Sequence, residues 1–248
     1  MKRRKVKEHP GNFKGEAMRL RFCIDRKNRA PRIWSNEELS KFAGLFKGRV
    51  INVSGWKDED KEGKRYKDYF INALEYSISN IEGYMGLSGL DNELYLDLER
   101  ELPKELKNRF EVVFCHTVLE HILGVGKAFD NLCGLSDDIV IIIVPFVQAQ
   151  HNTPDFGDFW RFTPQGIIEN FQKKGFTTLY LSLTPFKNTS KYIFAIASCN
   201  HPKWEKIIER SISAGVIPNI EQPLYCKIIN AIYLVFRNVF NSVKKMYL

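Results

Sequence analysis

The sequence predicts an α/β sandwich on a mostly parallel sheet, and three observations carry that prediction. Val112 to Cys115 is an apolar run too short for a helix and rich in β-branched and aromatic residues, as a strand buried on both faces would be. Asp138 to Val147 (DIVIIIVPFV) is the most apolar run in the chain and has no period, so it belongs at the centre of the sheet. Thr177 to Leu183 and Tyr192 to Ala197, separated by a Pro/Asn/Thr turn, read as an antiparallel hairpin closing a series of alternating strands and helices.

The 248 residues are 44% hydrophobic and 13% aromatic, enough apolar mass for one good-sized α/β domain and too much for a disordered chain. The net charge of +8 is uneven. Residues 1–34 carry twelve Lys/Arg against three Asp/Glu, residues 203–248 carry seven against three, and the body between carries 18 against 23. A basic head and tail around an acidic body fits contact with an acidic surface, and the head fits solvated lysines on a frayed terminus equally well. The five cysteines are odd in number and widely spaced, with no zinc-ligand pattern, so no metal is expected and a reducing, cytoplasmic compartment fits. Met1 to Lys7 is charged with no apolar stretch after it, unlike a signal peptide.

In chain order, residues 1–34 read as a basic arm with one short strand, Leu20 to Ile24. Ser35 should begin a helix, with Glu38 completing a capping box and Trp34 stapling onto Leu39, and Gly48 should stop it. Arg49 to Gly55 is the expected first strand, followed by a charged loop over 56–65 and a short aromatic helix or turn from Tyr66 to Ala73. Tyr76 to Asn80 and Leu94 to Leu98 are the second and third strands, around a Gly-rich stretch. After the strand ending at Cys115, Thr117 is placed to cap a helix with Glu120 as its capping-box partner. That layout leaves His116 and Thr117 at the carboxyl end of a strand, where open α/β sheets bind ligands. Thr163-Pro164 caps the next helix, and Gly175 ends it.

Beyond Pro202 the composition changes. Lys203 to Ala214 is amphipathic, and Leu224 to Lys245 is a basic amphipathic helix whose apolar stretch is interrupted by charges, so it does not read as a membrane span. Docking on its own domain, docking on a second subunit in a homodimer, and lying in a membrane interface all remain open for it. The division is therefore a basic arm over 1–34, an α/β domain over 35–202 and a helical extension over 203–248.

Four stretches taken together resemble class I S-adenosylmethionine-dependent methyltransferases, over about residues 48–200. They are Val50–Gly55, Asp97-Leu98, the pattern VVFCHTVLEHI within Phe110–Ile122, and Asp158-Phe159-Trp160-Arg161-Phe162-Thr163-Pro164. The last two resemble the type 11-like methyltransferases of bacterial surface-polysaccharide pathways. The resemblance implies a Rossmann-like sheet of seven strands ending in an antiparallel hairpin, with S-adenosyl-L-methionine lying across the carboxyl ends of its first four strands. Ser54 and Gly55 would meet the donor's carboxylate and ammonium, Asn80 (with Glu82 as substitute) its ribose, Asp97 and Leu98 its adenine, and His116 and Thr117 its methionine end. The first motif departs from the family: it reads Asn52-Val53-Ser54-Gly55-Trp56, with one glycine and Asn in the acidic place.

Methyl transfer is an in-line displacement that needs alignment and, for a hydroxyl acceptor, a general base. His151 is the expected base with Asp158 as its partner, and Trp160 and Arg161 are expected to contact the acceptor. A structural clamp is the competing role for Asp158, Trp160 and Arg161. Glu120 and His121 are expected to support the fold rather than act. The leading expectation is methylation of a sugar or glycolipid precursor at the inner face of the membrane, and the alternative is a catalytically degenerate fold serving as a binding or scaffolding subunit. A nucleic-acid substrate is disfavoured, because the arm lacks interleaved aromatics.

Overall fold

The computed structural model describes residues 29–83, 85–185, 190–209 and 211–212. Eight strands form one sheet: β1 (Gly48–Val53), β2 (Ala73–Asn80), β3 (Glu93–Tyr95), β4 (Phe110–His116), β5 (Ser136–Pro145), β6 (Thr177–Leu183), β7 (Tyr192–Ser198) and β8 (Ser211–Ile212). Their order is β3-β2-β1-β4-β5-β7-β6-β8. β1 to β5 run parallel, whereas β7 lies antiparallel between β5 and β6. This is a Rossmann-like α/β sandwich ending in an antiparallel hairpin, extended by a two-residue eighth strand alongside β6. The order reverses direction between β1 and β4, the switch point at which open α/β sheets form a ligand crevice.

The unbroken apolar runs of β4 and β5 follow from two covered faces. Side chains alternate along a strand, so Val113, Cys115, Val140, Ile142 and Val144 fall into one core cluster, and Val112, Phe114, Ile139, Ile141 and Ile143 into the other. Helices α2 (Val125–Leu135) and α3 (Pro164–Lys173) cover the first face through Phe129, Leu132, Ile167 and Phe171. The second face carries α1 (Arg29–Phe42), the 3-10 turn Tyr66–Tyr69 and the short α4 (His201–Trp204). The cap of α3 is as expected: the Thr163 hydroxyl accepts from Gly166 N at 3.1 Å, with Pro164 in the first turn.

Several boundaries differ from expectation. Ser35 does not cap α1, which starts at Arg29 with Pro31 in its first turn, where a missing N–H costs no helical bond. The Ser35 hydroxyl instead donates back to the Arg32 carbonyl at 2.8 Å. Glu38 is buried and accepts from Tyr180 OH and from Lys41. Residues 29–34, read as part of the arm, thus belong to a helix packed on the sheet. Thr117 does not cap a helix either: its φ of 53° is left-handed, a 3-10 turn over Leu119–His121 follows, and α2 begins only at Val125. Lys203 to Ala214 is not one amphipathic helix, because helix ends at Trp204 and Ser211–Ile212 pairs with β6. Trp204 and Ile208 are buried in the core of the α/β unit. The expected strand Leu20–Ile24 and the amphipathic helix Leu224–Lys245 lie outside the described residues. Among the described residues no helix is long and apolar enough to cross a membrane.

At the start of β1, Gly48 has φ 96°, and a Cβ there would come within 2.7 Å of the Glu111 carboxylate. That space lets Glu111 on β4 take Arg49 in a forked pair (2.6 and 3.1 Å) and also accept from Arg49 N. The hydrogen bonds from Arg49 hold the Glu111 carboxyl down at about 2. A carboxyl with its pKa lowered by folding stabilises the fold above the unfolded pKa and loses that contribution as pH falls through the folded one. Glu111→Gln should therefore cost about 1 kcal/mol at neutral pH, solvent screening trimming the value. In thermal melts the gap between the two proteins should narrow steadily as pH falls from about 4.5 towards 2; a gap independent of pH would contradict this.

Candidate active site

The turn after β1 is built around a buried carboxylate. Asp58 is fully buried, so its charge requires hydrogen bonds. It accepts from Asn52 Nδ2 (2.8 Å), Tyr76 OH (2.6 Å) and Lys67 N (3.0 Å). Burial, with Asp58 beside it, pushes the Tyr76 hydroxyl far above its ordinary pKa, so it stays a donor. Asn52 occupies the acidic place of the first motif, and its amide is the group that can donate to Asp58; a carboxylate there would face another. Ser54, Trp56 and Asp58 all take positive φ (54°, 46° and 60°), curling the turn tightly. A Cβ on Gly55 would come within 2.5 Å of the Asn52 amide, so glycine is required there. A second carboxylate, Asp60, accepts from Tyr69 OH (2.7 Å) and from Asn36 Nδ2 on α1 (3.2 Å), tying the loop to that helix.

The ends of β2 and β3 are joined by Asn80. Its Oδ1 accepts from Trp56 N (2.8 Å), and its Nδ2 donates to Trp56 O (3.2 Å) and to Glu93 Oε1 (2.5 Å). Both N–H groups of the Asn80 amide are thus used, one of them on the β1 turn, so only the second lone pair of Oδ1 is left for the ribose contact expected of it. Glu93 also gathers the backbone N–H groups of Ser88, Gly89 and Leu90. Burial raises its pKa, but Asn80 and these amides outweigh that and hold it below the ordinary range. Glu82, the substitute for Asn80, is exposed. Asp97 stands at the end of β3, accepting from Glu99 N (2.9 Å) and Arg100 Nε (3.1 Å) while its side chain remains 27% exposed. Leu98 turns into the main core at 3% exposure, so it backs this corner from inside rather than forming an open wall.

At the end of β4, His116 is buried and joined to α1. Arg32 Nη1 lies 2.9 Å from His116 Nδ1, and because a guanidinium only donates, Nδ1 is the acceptor. Nε2–H then donates to Ser35 Oγ at 2.8 Å, whose own proton goes to the Arg32 carbonyl. Burial, followed by the Arg32 charge, keeps this imidazole neutral, well below its ordinary pKa. His116 therefore holds α1 to the sheet instead of presenting a free nitrogen to the cleft. Thr117 points its hydroxyl at the His116 carbonyl (2.8 Å).

The loop after β5 folds over the 3-10 turn Leu119–His121. Asp158 is gripped by Arg161 through both oxygens (2.5 and 2.6 Å) and accepts from His151 N (2.8 Å). Arg161 spends its remaining donors on the carbonyls of Gln148, Ala149 and Trp160. Trp160 donates to Ile122 O at 2.9 Å, and Phe159 N donates to Glu120 O at 2.7 Å. Arg161 and Asp158 are thus a clamp on this loop, and the acceptor contact expected of Arg161 has no donor left to make it. The His151 ring does reach Asp158, with Nδ1 3.1 Å from Oδ2, but without the alignment of a hydrogen bond. Phe159 and Trp160, joined to the backbone of Glu120 and Ile122, remain exposed.

Two residues assigned to support are drawn into the site by this loop. Glu120 is 1% exposed, and burial pushes its carboxyl up to about 7. His121 lies with its ring centre 5.0 Å from that of His151. Glu120, His121 and His151 each bring one polar atom close to the others, all three within 4.8 Å of one another. The Leu-Glu-His pattern placed the first two near the site, but no spacing in sequence indicated that His151 would join them.

No family model matches this chain, and no curated protein matches it. Among solved structures it is similar to an S-adenosylmethionine-dependent methyltransferase from Clostridium acetobutylicum (8% identity, 75% of this chain and 99% of that one, TM-score 0.48). It is also similar to 1,6-didemethyltoxoflavin-N1-methyltransferase from Burkholderia thailandensis (13%, 78% and 92%, TM-score 0.47) and to magnesium protoporphyrin IX methyltransferase from Synechocystis (11%, 77% and 90%, TM-score 0.45). The strand order of this chain, rather than these distant likenesses, defines its fold.

The Asn52–Asp58 pair yields a reciprocal test. Asn52→Asp should destabilise the protein by roughly 3 kcal/mol, because it sets a second buried carboxylate against Asp58. Adding Asp58→Asn should restore about half of that in chemical denaturation, since one amide and one carboxylate again face each other. Additive losses would show that the two side chains are not coupled.

Proposed function

We propose that this chain is a S-adenosylmethionine-dependent methyltransferase. The observation that carries the proposal is the sheet order, with β7 reversed between β5 and β6 and a crevice-forming switch point between β1 and β4. The donor would lie over the carboxyl ends of β1 to β4. Backbone of the Ser54-Gly55 turn would meet its amino-acid end, where glycine already permits close approach, and the partly exposed Asp97 would meet its nucleoside. Asn80, His116 and Thr117 would shape the cleft from behind by holding its turns in place.

The chain's own part in the chemistry is alignment and proton handling. A hydroxyl acceptor bound beside Phe159 and Trp160 would lie next to Glu120, His121 and His151, of which His151 is the most exposed at 34% of its side chain. Its proton would pass to this group as the methyl arrives, and Asp158 would position His151 through its backbone. The aromatic surface suits stacking against a sugar ring, so a glycan or glycolipid precursor is the acceptor class we favour. The basic segments at both ends of the sequence would hold such an enzyme near an anionic membrane face.

The use of both Asn80 N–H groups within the fold, at a place where a charged acceptor would suit a ribose, favours a second reading, in which the fold is catalytically degenerate and serves as a binding subunit. Isothermal titration with S-adenosylmethionine separates the two. The enzyme should give saturable heat, and Asp97→Ala should weaken binding about tenfold, or about 1.4 kcal/mol. No heat from the folded protein would leave the binding-subunit reading standing.

A further inference from the structure

We propose that Glu120, His121 and His151 form a binding site for one divalent first-row metal ion, of which zinc is the representative. The three residues arrive from the loops after β4 and β5, at the carboxyl ends of the central strands, and their ligand atoms lie within 4.8 Å of one another. His121 Nε2 and Glu120 Oε1 are 3.8 Å apart. Two ligands at about 2.1 Å from a tetrahedral ion are about 3.4 Å apart, so this pair is already close to that spacing. The His151 side chain, one-third exposed, has room to close the remainder.

Two further observations, at Glu120 and His121, point to a cation rather than to packing. Glu120 Oε2 is buried and has no hydrogen-bond partner, a costly state for a carboxylate and one that a bound ion would relieve. His151 Nδ1, also buried, lies 3.1 Å from Asp158 Oδ2 without the alignment of a hydrogen bond, so that nitrogen already faces a carboxylate. His121 Nδ1 lies 2.5 Å from the Gly157 carbonyl, which only accepts, so Nδ1 carries the proton and Nε2 is left with a free lone pair facing Glu120. A ligand imidazole oriented through its other nitrogen by a backbone carbonyl is the usual second layer of a metal site. Arg161 does not compete for Glu120, since Asp158 and backbone carbonyls occupy it, and the buried Arg32, whose charge also acts on Glu120, leaves Glu120 Oε2 without a hydrogen bond.

The donor set names the ion. Two imidazole nitrogens and one carboxylate oxygen suit zinc, cobalt, iron or manganese, whereas calcium and magnesium prefer oxygen ligands alone. Three protein ligands leave at least one position open, the arrangement of a site that binds a further molecule. Resting on the methyltransferase reading above, that open position would take the acceptor's hydroxyl oxygen and ease loss of its proton, with His151 serving as ligand rather than free base. Metal binding itself does not depend on that reading.

The test uses the full chain, stripped with chelator and titrated with zinc, with cobalt as a visible-absorption reporter. One ion should bind per chain, and cobalt should develop d–d bands. Glu120→Gln, which keeps the shape of the buried side chain, and His151→Ala, in a surface loop, should each weaken zinc binding at least about tenfold, the lower bound for losing even an orienting partner of a ligand. Circular dichroism on each variant confirms that it is folded. A folded wild-type protein that takes up no zinc, or variants that bind it as tightly as wild type, would overturn the proposal. A parallel S-adenosylmethionine titration of the stripped protein reports on the donor site alone, so either site can fail without the other.

Discussion

The carboxylate of Asp58 is the constraint on which the cleft edge depends. A fully buried charge is tolerated only where its lone pairs are filled, and here the filling groups come from β1, β2 and the aromatic turn between them. One side chain therefore decides the conformation of the segment that follows β1. It also explains an oddity of composition. The place where an acid is expected holds Asn52, whose amide can donate to the buried Asp58 as a carboxylate there could not.

The same economy recurs at β4. His116 stands where a ligand-facing residue is expected, yet both its ring nitrogens are used to seat α1, one by Arg32 and one by Ser35. Asn80 does similar work between β2 and the Trp56 backbone. Polar residues along the sheet edge are thus divided between those that shape the crevice and those whose atoms remain available. The available ones lie on the β4 and β5 loops, in Glu120, His121 and His151.

The sheet was legible because burial writes itself into composition. The continuous runs of β4 and β5 needed only the rule that strands covered on both faces lose their alternation, and the terminal hairpin had turn residues to mark it. Helix starts were less legible. Pro31 and Arg32 read as part of a basic arm, although the arginine's charge is directed inward to a histidine 84 residues away. Thr117 and Glu120 have the spacing of a capping box, but a left-handed Thr117 turns the chain before any helix forms. The clamp of Arg161 on Asp158 was weighed from sequence, whereas the meeting of His151 with the Leu-Glu-His turn is a tertiary event that no local pattern records.

The short strands at the two margins of the sheet have a consequence for assembly. β3 and β8 span three and two residues and pair only with Ile78–Asn80 of β2 and Tyr180–Leu181 of β6, so among the described residues Ala73–Ser77 of β2 has no strand on its outer side. A long, flat outer strand is a template for another chain to extend, and brevity is one of the means by which proteins avoid it. In the described fold these short strands cover only part of each margin, so the outer side of Ala73–Ser77 is the place where a further strand could add by main-chain hydrogen bonds.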